Sequence, residues 1–146
     1  MTGTPTVTRI SDVRTIGVPV SDQQRALEFY GGVLGFETRM DSPFPGGRWI
    51  EVAAPGATTT IALAAAQEGT ATGVDTGIRF STADATADQA TLAGAGVDVD
   101  AEVLRFPGVP PMFAYRDPDG NTLYVVEQAY PRGAHTGGTR QCAPRG

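Results

Sequence analysis

Apolar and polar positions alternate along the chain with a period that changes in a fixed order. Residues 13–20 (VRTIGVPV) predict a β-strand, and residues 22–34 carry apolar side chains at three- and four-residue spacing, which predicts a helix. Gly35 is expected to end this helix, because glycine adopts a left-handed conformation at little cost. Three further strands are predicted after it, separated by turns rich in proline and glycine: residues 36–40, 48–53 and 58–64.

The same order begins again after residues 65–75, which have the glycine, alanine and threonine content of a linker. Residues 16–22 (IGVPVSD) and 78–84 (IRFSTAD) align at an offset of 62, each as a strand followed by the start of a helix. The second helix ends at Gly96. Three strands follow, the last of them after the turn sequence DPDGN: residues 97–104, 112–116 and 122–127. The chain is therefore predicted to be βαβββ twice.

A length of 146 residues suits one domain made of two small halves. The C-terminal residues are rich in glycine, proline and arginine, which predicts a flexible tail, and they contain the chain's one histidine and one cysteine, His135 and Cys142. The predicted organisation is an N-terminal extension (1–12), a single domain (13–128) of module 1 (13–64), linker (65–75) and module 2 (76–128), and the tail (129–146).

Composition and charge exclude several classes of function. The 40% apolar and 18% charged content is that of an ordinary globular protein. No apolar run reaches the roughly 18 residues of a membrane span, and the first residues have no targeting pattern, so we expect no membrane partner and a cytoplasmic location. The formal net charge is −5. Because such a protein repels polyanions, no nucleic-acid partner is expected.

Several short motifs, taken in order, resemble a known family. They are residues 18–22 (VPVSD), 26–30 (ALEFY), 33–36 (VLGF), Asp84 before the second helix, and 117–121 (DPDGN). Together they resemble the vicinal oxygen chelate superfamily of glyoxalases, extradiol dioxygenases and bleomycin-type binding proteins. The resemblance implies an α+β fold in which two βαβββ modules form a curled mixed sheet around a cup, with the helices on the outer face. It also implies a homodimer.

Metalloenzymes of this family place one ligand on the first and last strand of each module. The matching positions in this chain are Thr15, Ala62, Gly77 and Tyr124. These residues supply neither the imidazole nor the carboxylate that the family uses, and no histidine or cysteine occurs earlier than the tail. We therefore expect no metal and no other cofactor.

Strand parity separates a core face from a cup face, because alternate residues of a strand face opposite sides of a sheet. The core face is uniformly apolar: Ile16, Val18, Val20, Ile61, Leu63, Ile78, Phe80, Leu123 and Val125. The cup face carries mostly short side chains: Thr15, Gly17, Pro19, Thr60, Ala62, Ala64, Gly77, Arg79, Ser81, Thr122, Tyr124 and Val126. Short side chains leave a concavity that can admit a ligand.

Five larger residues are the candidates for contact with a ligand, and each has a structural alternative. Arg79 can clamp an anion or pair with a carboxylate, and Tyr124 can donate a proton or simply pack. Trp49, Phe113 and Tyr115 can stack on a planar ligand or cover the core, since the parity of residues 48–53 and 112–116 is left open.

Glu51 is the one strand carboxylate that could face the cup. Glu51 would face the cup if Ile50 and Val52 take the core side, and a buried glutamate can act as a general base. The interpretation favoured here is a solvated or arginine-paired residue. If the protein is an enzyme, Tyr124, Arg79 and Glu51 are the candidate catalytic residues.

Three functional hypotheses remain. The favoured one is a metal-independent homodimer that binds a small, planar or anionic organic molecule in its cup, either to sequester it, as bleomycin resistance proteins do, or as a metabolite. The alternative is a glyoxalase- or dioxygenase-like lyase or isomerase, metal-free or with an unrecognised metal site. The third is a structural or regulatory dimer without a ligand, which the many short side chains of the cup face disfavour.

Overall fold

The first module is a four-stranded mixed sheet with a helix across one face. The computed structural model describes residues 7–128. The sheet has the order β1-β4-β3-β2, in which β1 and β4 are parallel and the other pairs antiparallel. Its elements are β1 (Thr15–Val20), α1 (Gln23–Leu27) with a π-helical continuation (Glu28–Val33), β2 (Glu37–Phe44), β3 (Gly47–Ala53) and β4 (Thr60–Ala65).

Helix α1 begins and ends where the sequence pattern predicts. The Asp22 side chain accepts a hydrogen bond from the Arg25 backbone N–H at 3.0 Å and caps the helix. The helix continues after α1 as a π-helix, in which the Leu34 N–H donates to the Phe29 carbonyl five residues earlier. Gly35 has φ +80° and stops it.

The second module repeats this architecture with more strands. Its sheet has the order β5-β9-β8-β6, with β7 paired to β8 and with β5 and β9 parallel. Its elements are β5 (Asp75–Thr82), α2 (Ala85–Gly94), β6 (Asp98–Val99), β7 (Leu104–Phe106), β8 (Val109–Arg116) and β9 (Thr122–Glu127). The last strand has the predicted bounds.

Two predicted segments differ from the structure. The predicted strand 97–104 is two short strands, because the Asp100 carboxylate turns toward β8, where it accepts from the Ala114 N–H and the Arg116 guanidinium. The predicted loop after residue 40 is mostly strand, since β2 continues to Phe44. Pro43 fits there because β2 is an edge strand, whose outer N–H groups need no partner.

The core lies where strand parity predicts it. Val18, Val20, Leu63 and Leu123 are fully buried beneath the helices. The helix-covered sides of the two sheets lie toward each other, with the Phe36 and Phe80 rings 5.3 Å apart between them. No hydrogen-bonded strand pair joins the two sheets within residues 7–128. The prediction of two βαβββ modules is confirmed, as two mixed sheets.

The parts of the chain outside the two sheets are only partly described. Residues 7–12 are exposed and irregular, whereas the rest of the predicted extension and the predicted tail, 129–146, lie outside the described residues. The linker predicted at residues 65–75 is residues 66–74 in the structure, because β4 ends at Ala65 and β5 begins at Asp75. Within the described residues, no helix is both long and apolar enough to cross a membrane.

Candidate functional site

Each sheet leaves the face opposite its helix uncovered, and these two surfaces form the candidate site. We call them the first open face, on the sheet of β1 to β4, and the second open face, on the sheet of β5 to β9. The first carries the predicted site residues Thr15, Gly17, Trp49, Thr60 and Ala62 together with Glu51. The second carries Gly77, Arg79 and Tyr124. Within one chain the two open faces belong to separate sheets.

A buried carboxylate holds the main aromatic side chain of the first open face. Glu51 is only 2% exposed, and its Oε2 accepts a hydrogen bond from the Trp49 indole Nε1 at 2.6 Å. The same oxygen accepts from Arg14 Nη1 at 2.9 Å, while Oε1 accepts from the Thr60 hydroxyl at 2.9 Å. Because these donors come from three different segments, the indole is fixed in position although 40% of Trp49 is exposed.

The surroundings of Glu51 keep it ionised. The hydrogen bond from Trp49 is the largest cause that holds the pKa of Glu51 below its ordinary value, and those from Thr60 and Arg14 add to it against the opposing effect of burial. A carboxylate with a lowered pKa is a weak base near neutral pH. The structure therefore pairs Glu51 with Arg14 and gives no support to a role as a general base.

Replacing Glu51 with glutamine should reduce stability by roughly 1–2 kcal/mol at neutral pH, since the hydrogen bonds to a charged acceptor are weakened. A lowered pKa in the folded state stabilises the fold above the ordinary glutamate pKa of about 4.3, and this contribution is lost as the pH falls through the folded-state value. The difference between wild type and Glu51→Gln should therefore narrow in acid. Urea unfolding at several pH values measures it, and a difference that widens toward low pH contradicts the assignment.

A stacked arginine–tyrosine pair occupies the second open face. The Arg79 guanidinium carbon lies 4.4 Å from the centre of the Tyr124 ring, and its Nη1 donates to the Gly77 carbonyl at 2.9 Å. The Tyr124 hydroxyl donates to the Asp75 carboxylate at 2.8 Å. This hydrogen bond is the largest cause that raises the pKa of Tyr124, so the side chain is a neutral phenol at neutral pH.

Gly77 stands where backbone geometry excludes most other residues. Its φ of +72° falls in the left-handed region, at the point where the pairing of β5 with β9 shifts register. The Gly77 N–H donates to the Asp75 carboxylate at 3.1 Å. A residue with a side chain would be strained at this position, so the irregular backbone favours glycine over a metal-ligating residue.

The four residues at the family's metal positions do not fit a metal ion. Thr15, Ala62 and Gly77 offer no carboxylate, imidazole or thiolate, and the hydroxyl of Tyr124 is engaged by Asp75. Throughout residues 7–128 there is no group of three or more histidine, cysteine, aspartate or glutamate side chains placed to hold a metal.

Two predicted ligand contacts lie on the other side of their sheet. Phe113 and Tyr115 are each 1% exposed and belong to the core beneath α2. They pair with Val125 and Leu123 of β9, which also face the helix. The prediction that they line the cup is therefore corrected, because β8 is apolar on both faces and its parity is set only by its partner strand.

The open faces also carry residues that the sequence did not single out. Met40 and Leu104 are 39% and 47% exposed, and the strand registers place them on the first and second open face. Alternation within β2 would have indicated Met40 once the strand was known to extend to Phe44. Arg14 and Asp75, the partners of Glu51 and Tyr124, give no local signal, because each contact spans dozens of residues.

Comparison with known proteins identifies the family. Residues 12–125 match the model of the Glyoxalase/Bleomycin resistance protein/Dioxygenase superfamily, and the chain belongs to it. TnmS3, an antibiotic binding protein from Streptomyces sp. CB03234, is 35% identical, and the match covers 84% of this chain and 100% of TnmS3 with a TM-score of 0.76. A superfamily member from Sphaerobacter thermophilus DSM 20745 is 34% identical over 83% of this chain and 100% of its own, with a TM-score of 0.78.

One curated relative also matches. YetH of Bacillus subtilis (strain 168), an uncharacterized protein, is 38% identical over 55 residues, which are 37% of this chain and 46% of YetH. The chain thus spans about half the length of this relative.

Proposed function

We propose that the protein binds a small, flat, anionic organic molecule between its open faces without a metal ion, and that it does so to sequester the molecule. One observation carries the proposal. Each open face presents one large group that is exposed yet held in place by hydrogen bonds: Trp49 on the first face, and Arg79 against Tyr124 on the second. Groups fixed before binding lose little conformational entropy when a ligand arrives.

The first open face offers an aromatic surface. The Phe44 and Trp49 rings are 6.5 Å apart at an interplanar angle of 71°, and the two residues are 49% and 40% exposed. Two exposed aromatic rings side by side form an apolar patch, which favours contact with a flat apolar molecule. The first open face would therefore contact the flat, apolar part of the proposed ligand.

The second open face offers a positive charge. Arg79 is exposed, and its one hydrogen bond within the described residues uses a single N–H, so its remaining donors can meet a carboxylate, phenolate or sulfonate in the bidentate manner of guanidinium groups. Its contact with the Tyr124 ring holds the guanidinium flat against the sheet. The second open face would therefore bind the anionic group of the proposed ligand.

A second copy of the chain would complete the site. The two open faces of one chain lie on separate sheets whose covered sides meet, so the first face can oppose a second face only from another molecule. The exposed apolar side chains on both faces also favour burial at an interface. We propose a homodimer with the ligand held between the first face of one protomer and the second face of its partner.

The similarity to TnmS3 supports the same proposal. That protein is described as antibiotic binding, and its whole length matches this chain. Sequestration of an organic molecule needs shape and charge but no reacting group, which agrees with the ionised Glu51 and the neutral Tyr124.

Replacing Arg79 with alanine should weaken the binding of naphthalene-2-sulfonate about tenfold, the usual loss for one charge-assisted contact. Isothermal titration calorimetry measures the affinity. Arg105→Ala is the matched control, because Arg105 is an exposed arginine of the same module whose guanidinium donates to Thr86 of α2. Equal affinity in wild type and Arg79→Ala, or no binding of the probe by wild type, would remove the anion site.

A further inference from the structure

A cavity of about 780 Å³ lies between the two modules, and residues of the covered sides of both sheets line it. Its walls come from β1, β4, β5, β9 and α2, and six of its apolar residues belong to the covered sides of the sheets and to the helix: Ile16, Ile61, Ile78, Phe80, Leu92 and Val125. Drug-sized ligands commonly occupy cavities of about 300–1,000 Å³ that are mainly apolar with a few polar groups. The volume and the mainly apolar lining fall within this range.

We propose that this cavity is a second binding site, for a small neutral apolar molecule that carries one hydrogen-bond acceptor such as a ketone or ether oxygen. The site is distinct from the open faces. On β5 and β9 its apolar wall residues are those that alternate with Arg79 and Tyr124, although Arg79 and Ser81 also border it.

The charge of the walls excludes an anionic ligand. Asp88 of α2 lines the cavity and accepts a hydrogen bond from the Thr82 hydroxyl. Arg79 also borders it, but its guanidinium lies over the Tyr124 ring on the second open face and is not available to balance an anion inside. An anion would meet an aspartate with no opposing cation, whereas a neutral molecule would not.

The ligand is expected to carry an acceptor because a hydroxyl that lines the cavity, that of Tyr115, has no partner to which it can donate in the part of the chain that the structure describes. Tyr115 lines the cavity and is 1% exposed, yet its hydroxyl has no hydrogen-bond partner among residues 7–128. Buried polar groups in proteins are almost always hydrogen-bonded, so an orphan group of this kind calls for a partner from outside residues 7–128. Burial raises the pKa of Tyr115, so it remains a phenol that can donate.

The probe that tests the cavity is 6-propionyl-2-(dimethylamino)naphthalene, a neutral flat ketone whose emission reports the polarity around it. Thr91 is exposed, lies on α2 and lines the cavity, so Thr91→Trp should obstruct it without disturbing the core. We expect this variant to bind the probe at least tenfold more weakly, and Tyr115→Phe to bind it several-fold more weakly. Circular dichroism checks that both variants are folded.

Two controls make the outcome decisive. In competition with the probe, 2-ethylnaphthalene, which lacks an acceptor, should bind equally well to wild type and Tyr115→Phe. Trp49→Ala should leave the affinity for the probe unchanged, and Thr91→Trp should leave naphthalene-2-sulfonate binding unchanged. Absence of probe binding by wild type, equal affinity of wild type and Thr91→Trp, equal affinity of wild type and Tyr115→Phe, or loss of the probe in Trp49→Ala would each overturn the proposal. The last of these results would place the probe on the first open face, whereas the first three do not bear on the open faces.

Discussion

Replacing Asn121 with alanine should lower the free energy of unfolding by roughly 3–5 kcal/mol, because several buried hydrogen bonds are lost and their partners are left unsatisfied. Asn121 is fully buried. Its Nδ2 donates to the Pro19 carbonyl at 2.8 Å and to Asp117 Oδ2 at 3.0 Å. Its Oδ1 accepts from the backbone N–H groups of Gly73 and Val74 at 2.9 and 3.0 Å.

The effect is expected to be large because this network joins the modules. Pro19 lies in β1 of the first module, whereas Asp117 and Asn121 lie in the turn before β9. Asp117 is itself buried and accepts the Tyr30 hydroxyl at 2.9 Å, a second bond from the first module. The loss of Asn121 therefore disturbs both the turn and the contact between the modules.

Chemical unfolding in urea measures the change, with Ser21→Ala as the control. Ser21 also bonds across the modules, to Asp119, but Ser21 itself is exposed, and the Asp119 carboxylate keeps the Ser21 backbone N–H and the Arg25 guanidinium as partners when the hydroxyl is removed. The control should cost less than about 1 kcal/mol. If both variants lose a similarly small amount of the free energy of unfolding, the buried network does not hold the modules together.

Replacing Trp49 with alanine should weaken the binding of naphthalene-2-sulfonate by roughly tenfold to a hundredfold, because a large aromatic contact is removed from the first open face. The fold should tolerate the change, since much of the side chain is exposed. Trp49→Phe is the matched control, because it keeps an aromatic ring but cannot donate to Glu51. We expect Trp49→Phe to fall between wild type and alanine.

The same residue provides a direct signal of binding. Trp49 is the single tryptophan of the chain, so its fluorescence reports the first open face alone. A flat ligand that stacks on the indole should quench or shift this emission in step with binding measured by calorimetry. Binding without any change in tryptophan emission, together with full affinity in Trp49→Ala, would place the ligand elsewhere.

Where turn residues and periodicity agree, the sequence is sufficient to predict the fold. The bounds of β9 follow from the DPDGN turn, and the end of the first helix follows from Gly35. Both signals are local, since they depend on the conformations that particular residues permit over a few positions.

The sheet face on which a residue lies could be predicted only for strands in which one set of alternate residues is apolar and the other is not. In β3, Ile50 and Val52 favour the core side but leave the parity open, and the structure places Glu51 on the open face. In β8 both alternating sets are apolar, so the burial of Phe113 and Tyr115 depends on pairing with β9.

The features of the site that could not be predicted depend on contacts between segments that are distant in the sequence. The burial of Glu51 depends on Arg14 and Thr60, and the cavity exists because of how the two modules pack against each other. Neither property leaves a trace in the periodicity of a single strand or helix, so neither could be predicted from the sequence pattern.

Native mass spectrometry of the purified protein tests the proposal that the open faces of two chains together bind a flat organic anion without a metal ion. We expect a dimer with no stoichiometric metal, which takes up naphthalene-2-sulfonate and loses this ability in Arg79→Ala. A monomer that binds no probe, or a protein that holds about one metal ion per subunit, would contradict it.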